Sequence, residues 1–97
     1  MARLVFHPEA DGEYREAFQW YDVRSPQAAL RFEAEVEKVL TRISADPESF
    51  PRYDAVHRFA IVQRFPYSIV YQTILGDLYI AAVAHSSRSP GYWQNRV

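Results

Sequence analysis

The stretch Arg58–His85, RFAIVQRFPYSIVYQTILGDLYIAAVAH, decides the fold, because no other part of the chain is so rich in β-forming residues. Its three strand-like runs, separated by two short breaks, predict a three-stranded antiparallel meander. At Leu75-Gly76-Asp77-Leu78 the spacing predicts a two-residue hairpin with Gly76 and Asp77 as the loop, since glycine tolerates the positive φ of a primed turn. That register sets Ile74 opposite Tyr79, Thr73 opposite Ile80, Tyr71 opposite Ala82, Val70 opposite Val83 and Ser68 opposite His85. One face then carries Ile69, Tyr71, Thr73, Ile80, Ala82 and Ala84, and the other Ser68, Val70, Gln72, Ile74, Tyr79, Ala81, Val83 and His85. Both faces are largely apolar, so helices must cover one side and further material part of the other.

The segments before the meander supply those helices. Arg3–Phe6 (RLVF) reads as a short strand whose place in the sheet is open, and His7-Pro8 ends it and starts a helix. Glu9, Asp11 and Glu13 favour a helix N-terminus there, while Ala10, Tyr14, Ala17, Phe18 and Tyr21 form one apolar stripe, with Trp20 off it. Ser25-Pro26 is an N-cap and first-turn pair, followed by the stripe Ala29, Phe32, Val36, Val39, Leu40, Ile43. Two helices, Pro8 to Arg24 and Pro26 to Ala45, are expected to pack as an antiparallel hairpin on a twisted antiparallel sheet. The fold class is α+β, in one domain spanning 1–97.

Composition narrows the chemistry. There is no cysteine, which excludes disulfide scaffolds and zinc fingers, and the three histidines have no helical ligand spacing, so no metal and no cofactor is expected. No apolar run approaches a membrane span, and no leader-like segment is visible, which predicts a soluble, cytoplasmic protein without membrane partners. The net charge of −1 is unevenly divided: residues 1–50 hold six basic and ten acidic groups, and residues 51–97 hold five arginines against Asp54 and Asp77. A local cationic surface on the sheet and tail follows, whereas tight non-specific nucleic-acid binding does not. Glu33, Glu35 and Glu37 are spaced by two on a helix, point apart, and read as a solvated face.

The candidate site gathers where the third strand ends. His85 and Arg88 lie at that end, Arg64 closes the first meander strand and Arg58 opens it. A histidine that moves a proton and arginines that hold a developing phosphorane would suit RNA cleavage through a 2′-hydroxyl, with Arg64, His85 and Arg88 as the catalytic set. The alternative makes Arg58, Arg64, Arg88, Tyr92 and Trp93 a partner-binding surface, with His85 hydrogen-bonded to Ser68 or to the tail backbone. Tyr92 and Trp93 then dock as an aromatic latch on the sheet or on a partner.

The order strand, helical hairpin, meander, with FHPEADGEYREAFQWY, DPESFPR, FPYSIVYQTILGDLYIAAVAH and HSSRSPGYW, resembles the RelE/ParE superfamily of type II toxin–antitoxin toxins, among them plasmid stabilisation proteins. The resemblance covers essentially the whole chain and implies a small toxin neutralised by a cognate antitoxin that wraps its surface. RelE-like members cleave mRNA on the ribosome, and ParE-like members poison DNA gyrase. The pI of about 6.3 and the lone Lys38 place this chain on the ParE-like side, since ribosome engagement depends on neutralising phosphate. The resemblance therefore implies gyrase as target, with ribosome and mRNA as the alternative partners. A toxin fold that has lost toxicity and only binds its partner is the third possibility. A homodimer and a toxin–antitoxin hetero-oligomer are both compatible with the residues. Two apolar sheet faces under one helical layer independently predict a protein partner, whose helix fills a groove beside the hairpin while an extended segment adds to a sheet edge and sets acidic side chains against Arg58, Arg64 and Arg88.

Overall fold

The computed structural model describes residues 3–96. Strand β1 (Leu4–Phe6) leads into α1 (Pro8–Asp22) and α2 (Pro26–Ala45), followed by β2 (Arg58–Ile61), β3 (Tyr67–Ile74) and β4 (Asp77–His85). Both helix starts follow their sequence signals. His7 Nδ1 accepts the Glu9 N–H at 3.1 Å and Ser25 Oγ accepts the Ala28 N–H at 3.2 Å, each with proline in the first turn.

The α+β class and the meander hold, but the sheet is mixed. Its order is β1-β4-β3-β2, and β1 lies parallel to β4, with Leu4 opposite Leu78 and Phe6 opposite Ile80. The expected all-antiparallel sheet is thus corrected at one edge, where β1 enters α1 at once and the helical hairpin crosses one sheet face before the meander begins. Asp77 helps fix that edge, accepting the Arg3 backbone N–H at 3.0 Å and its guanidinium at 3.3 Å.

The hairpin register also differs from expectation. Leu75 and Gly76 form the loop, at φ 51° and 84°, so Ile74 faces Asp77, Thr73 faces Leu78 and Tyr71 faces Ile80. Positive φ at both central positions is the type I′ signature, whose twist matches that of the flanking strands. Val70 pairs with Ala82, leaving Ala81 as an extra residue in β4, and beyond this bulge Tyr67, not Ser68, faces His85. The bulge reverses the sides of the strand end: Val83 joins the helix-facing core, while Ala82 and Ala84 turn to the far side.

Phe32 is the centre of the main core. Fully buried, it meets Tyr14, Tyr21, Phe65 and Tyr67 at ring separations of 5.3–5.7 Å. Ala10, Ala17, Val36, Val39 and Ile43 from the helices and Ile69, Tyr71 and Ile80 from the sheet complete it, following the two stripes read from the sequence. On the far side Trp93, 3% exposed, packs with Tyr92 against Val70, Ala81, Ala82 and Phe59, so the tail is the second layer the apolar meander required. Trp20 stays 52% exposed, with the Arg24 guanidinium 3.7 Å above its ring.

Candidate functional site

The bulge in β4 positions the C-terminal corner. Past Phe6 there is no β1 to pair with β4, and Glu13 of α1 takes that place by accepting the Val83 N–H at 3.0 Å. The same carboxylate accepts the Tyr92 hydroxyl at 2.7 Å and both ends of the Arg96 guanidinium at 3.0 Å, while Arg96 also donates to the Ala81 carbonyl at 3.0 Å. Backbone groups freed by the bulge are therefore satisfied by a side-chain pair that also ties down the tail. Burial, together with the hydrogen bond to Glu13, pushes the Tyr92 hydroxyl well above the ordinary tyrosine value, and the Glu13 bonds raise the Arg96 guanidinium further.

His85 and Arg88 line a cleft of about 270 Å³ with Phe59, Val70, Tyr92 and Trp93. His85 Nδ1 lies 3.0 Å from the Ser87 N–H, which donates to it, and 2.8 Å from the Ser87 hydroxyl, and the ring stands edge-on to Tyr67 at 5.0 Å. Of the two expected partners, Ser68 and the tail backbone, His85 takes the second, because the shifted register sets Tyr67 rather than Ser68 opposite it. Arg88 lies over the Tyr92 ring at 3.9 Å and reaches Glu13 at 3.9 Å, yet its side chain remains 53% exposed. The cleft wall is apolar and its rim is polar.

Arg64 sits in the turn between β2 and β3, exposed and in the left-handed region at φ 71°, at the same sheet end as His85 but outside the cleft lining. Arg58 is elsewhere. It opens β2 opposite Tyr71, four residue rows from the Tyr67–His85 pair, or about 13 Å along the strands, and donates to the Phe50 carbonyl at 2.6 Å. Of the proposed catalytic set, the structure brings His85 and Arg88 into one cleft and leaves Arg64 beside it. Of the proposed binding set, Trp93 is inside the protein, Tyr92 is half-buried, and Arg58, Arg64 and Arg88 reach the surface at separate places.

The sequence reading missed Glu13, Arg96, Asp54 and His57 as organising residues. Asp54 accepts the Val56 and His57 backbone N–H groups at 2.9 and 2.7 Å, pairs with the His57 ring at 3.0 Å and accepts Gln94 Nε2 at 3.0 Å. Partial burial alone would raise this carboxyl, but the bonds from Gln94, Val56 and His57 outweigh it and hold Asp54 well below the usual carboxylate range. His57, 3% exposed, in turn supports Trp93 at 4.7 Å. Only the Asp-x-x-His spacing is visible locally; Glu13 and Arg96 are 83 residues apart and carry no shared sequence signal.

The architecture is that of a small α+β domain, a helical hairpin on one face of a four-stranded mixed sheet. The chain superposes on a structure described as "Chromosomal ParDE TA system from P. aeruginosa" with a TM-score of 0.68 at 19% identity, covering 88% of this chain and 96% of that one. Residues 4–90 match the family described as "ParE toxin of type II toxin-antitoxin system, parDE". The chain belongs to the ParE toxin family. A search of curated protein sequences finds no match. Tyr92, Trp93 and Arg96 lie beyond the matched residues. Among the described residues, no helix is long and apolar enough to cross a membrane.

Proposed function

We propose that this chain is the toxin of a type II toxin–antitoxin pair, that it acts by contact with a protein target, and that a cognate antitoxin neutralises it. DNA gyrase is the target that family membership implies. The observation that carries the reading is the geometry of the β4 corner: an apolar wall of Phe59, Val70 and Trp93, with a half-exposed Arg88 stacked on Tyr92 at its rim. Aromatic and arginine side chains around a desolvated centre are the usual make-up of a contact surface. His85 Nδ1 is engaged by Ser87 and Arg88 is shared with Glu13, which supports reading both as parts of a contact surface rather than as a proton-transfer set.

Ribosome-dependent mRNA cleavage is the second reading, and the observation favouring it is that His85 and Arg88 line one cleft. Induced expression separates the two. Gyrase poisoning gives DNA-damage signalling, suppressed by co-expression of the protein encoded by the adjacent reading frame, and Arg88→Ala weakens target binding by about 1–3 kcal/mol with a marked salt dependence. Codon-positioned mRNA cuts without DNA damage contradict the proposal, and normal growth at full expression points to a toxin fold that only binds.

A further inference from the structure

At the start of β2 lies a polar cleft of about 260 Å³, walled by Glu48, Arg52, Arg58, Gln72 and Thr73. Arg52 and Arg58 form an isolated antiparallel bridge, an arrangement that sets like charges directly opposite one another and is unfavourable by itself. Each is anchored through one Nη1 to a backbone carbonyl, Arg52 to Ala55 at 3.0 Å and Arg58 to Phe50 at 2.6 Å. A guanidinium has five N–H donors, so most of this fork remains available, and neither arginine forms an ion pair with a carboxylate among the described residues.

The strand edge beside this pair is open. β2 begins at Arg58, opposite Tyr71, and Val62 N–H donates to Tyr67 C=O, so the odd-numbered residues of β3 turn their backbone groups toward β2. Thr73 continues that series past the end of β2. Its N–H and C=O point to a side where no strand pairs with it among the described residues.

We propose that this cleft docks an extended acidic segment of a protein partner. The segment's backbone pairs with Thr73 and one of its carboxylates spans the Arg52 and Arg58 guanidiniums. An open ladder position recognises a peptide backbone, which a polynucleotide lacks, and Glu48 in the cleft wall together with the net charge of −1 disfavours a long polyanion. The inference rests on the antitoxin reading for the partner's identity and specifies which part of the surface that partner grips.

The test is an NMR titration of the ¹⁵N-labelled protein, observing backbone amides and arginine Nε–H groups. The probes are a capped hexapeptide of alternating valine and threonine with one central glutamate, its glutamine counterpart, and inorganic phosphate. The glutamate peptide is expected to shift Thr73, Arg52 and Arg58 together, and the glutamine peptide to bind about ten-fold more weakly, the loss expected when a charge-assisted contact is removed. Arg52→Gln, at an exposed position, reproduces that loss with the remaining amides unmoved. Shifts from phosphate but not from peptide overturn the proposal in favour of a small-anion site, and peptide shifts that avoid Thr73, or none up to about 10 mM, also overturn it. Growth rescue by the adjacent gene's product separates the two readings: rescue with a silent cleft removes only this site, whereas peptide binding without rescue keeps the site and removes the antitoxin.

Discussion

Two cationic regions of the molecule put their arginines to different use. At the β4 corner, Arg96 is 10% exposed in its side chain and is held by Glu13 and the Ala81 carbonyl, with Glu9 at 3.8 Å, and Arg88 is partly committed to the Glu13 carboxylate. At the start of β2, Arg52 and Arg58 lie opposite one another with backbone carbonyls as their anchors. The first group holds the tail and the second is arranged for an anion from outside. A count of arginines in the C-terminal half cannot separate the two, because the difference lies in which carboxylates the fold brings near.

The largest effect expected from this contrast comes from Glu13→Ala. It leaves the Arg96 charge with only the exposed Glu9 at 3.8 Å and the Val83 N–H without its acceptor, and breaking a buried pair by removing one partner costs about 3–5 kcal/mol. Urea denaturation should show that loss; a change under about 1 kcal/mol means the tail is not held by this carboxylate.

Asp54 gives a smaller, pH-dependent effect. Its folded pKa is depressed, so its contribution to stability is complete above the ordinary carboxylate value near 4 and is lost as the pH falls below it toward the folded value. Melting temperatures from pH 7 to pH 2 should fall steeply at the acid end in the wild type. For Asp54→Asn the melting temperature should start lower and fall less, with the remaining slope partly from Asp77, whose carboxyl is lowered first by the Arg3 backbone N–H. Parallel curves would place the acid sensitivity elsewhere.

The smallest effect belongs to the second region. Arg52→Gln should leave stability within about 0.5 kcal/mol of wild type, as befits an exposed side chain that the core does not use. A loss comparable to that of Glu13→Ala would erase the distinction between the two regions.

Much of this fold was legible in local sequence. Ser25-Pro26 and His7-Pro8 cap their helices as read, and the two apolar stripes meet around Phe32. These features follow from spacing within a few residues. The turn was misplaced by one residue because glycine serves either central position of a primed turn, and here Leu75, fully exposed, takes the other positive φ. The Ala81 bulge was invisible, since alternation through IAAVA is equally consistent with either side once alanine is allowed on both. His85 at the end of β4 and Arg88 just past it were legible as neighbours, and the structure sets both in one cleft, but their contacts with Ser87 and Glu13 depend on the bulge and on α1. Tyr92 and Trp93 were legible as an aromatic latch, and the structure lays them on the sheet.

Whether this ParE-family chain acts on a protein target through contact is decided with purified components. Incubated with DNA gyrase, supercoiled plasmid and ATP, the protein should cause cleaved DNA to accumulate, and His85→Ala should retain that activity apart from any loss of stability. Gyrase that turns over unaffected, together with cuts in ribosome-bound mRNA that vanish in His85→Ala at an unchanged melting temperature, would contradict that mode of action.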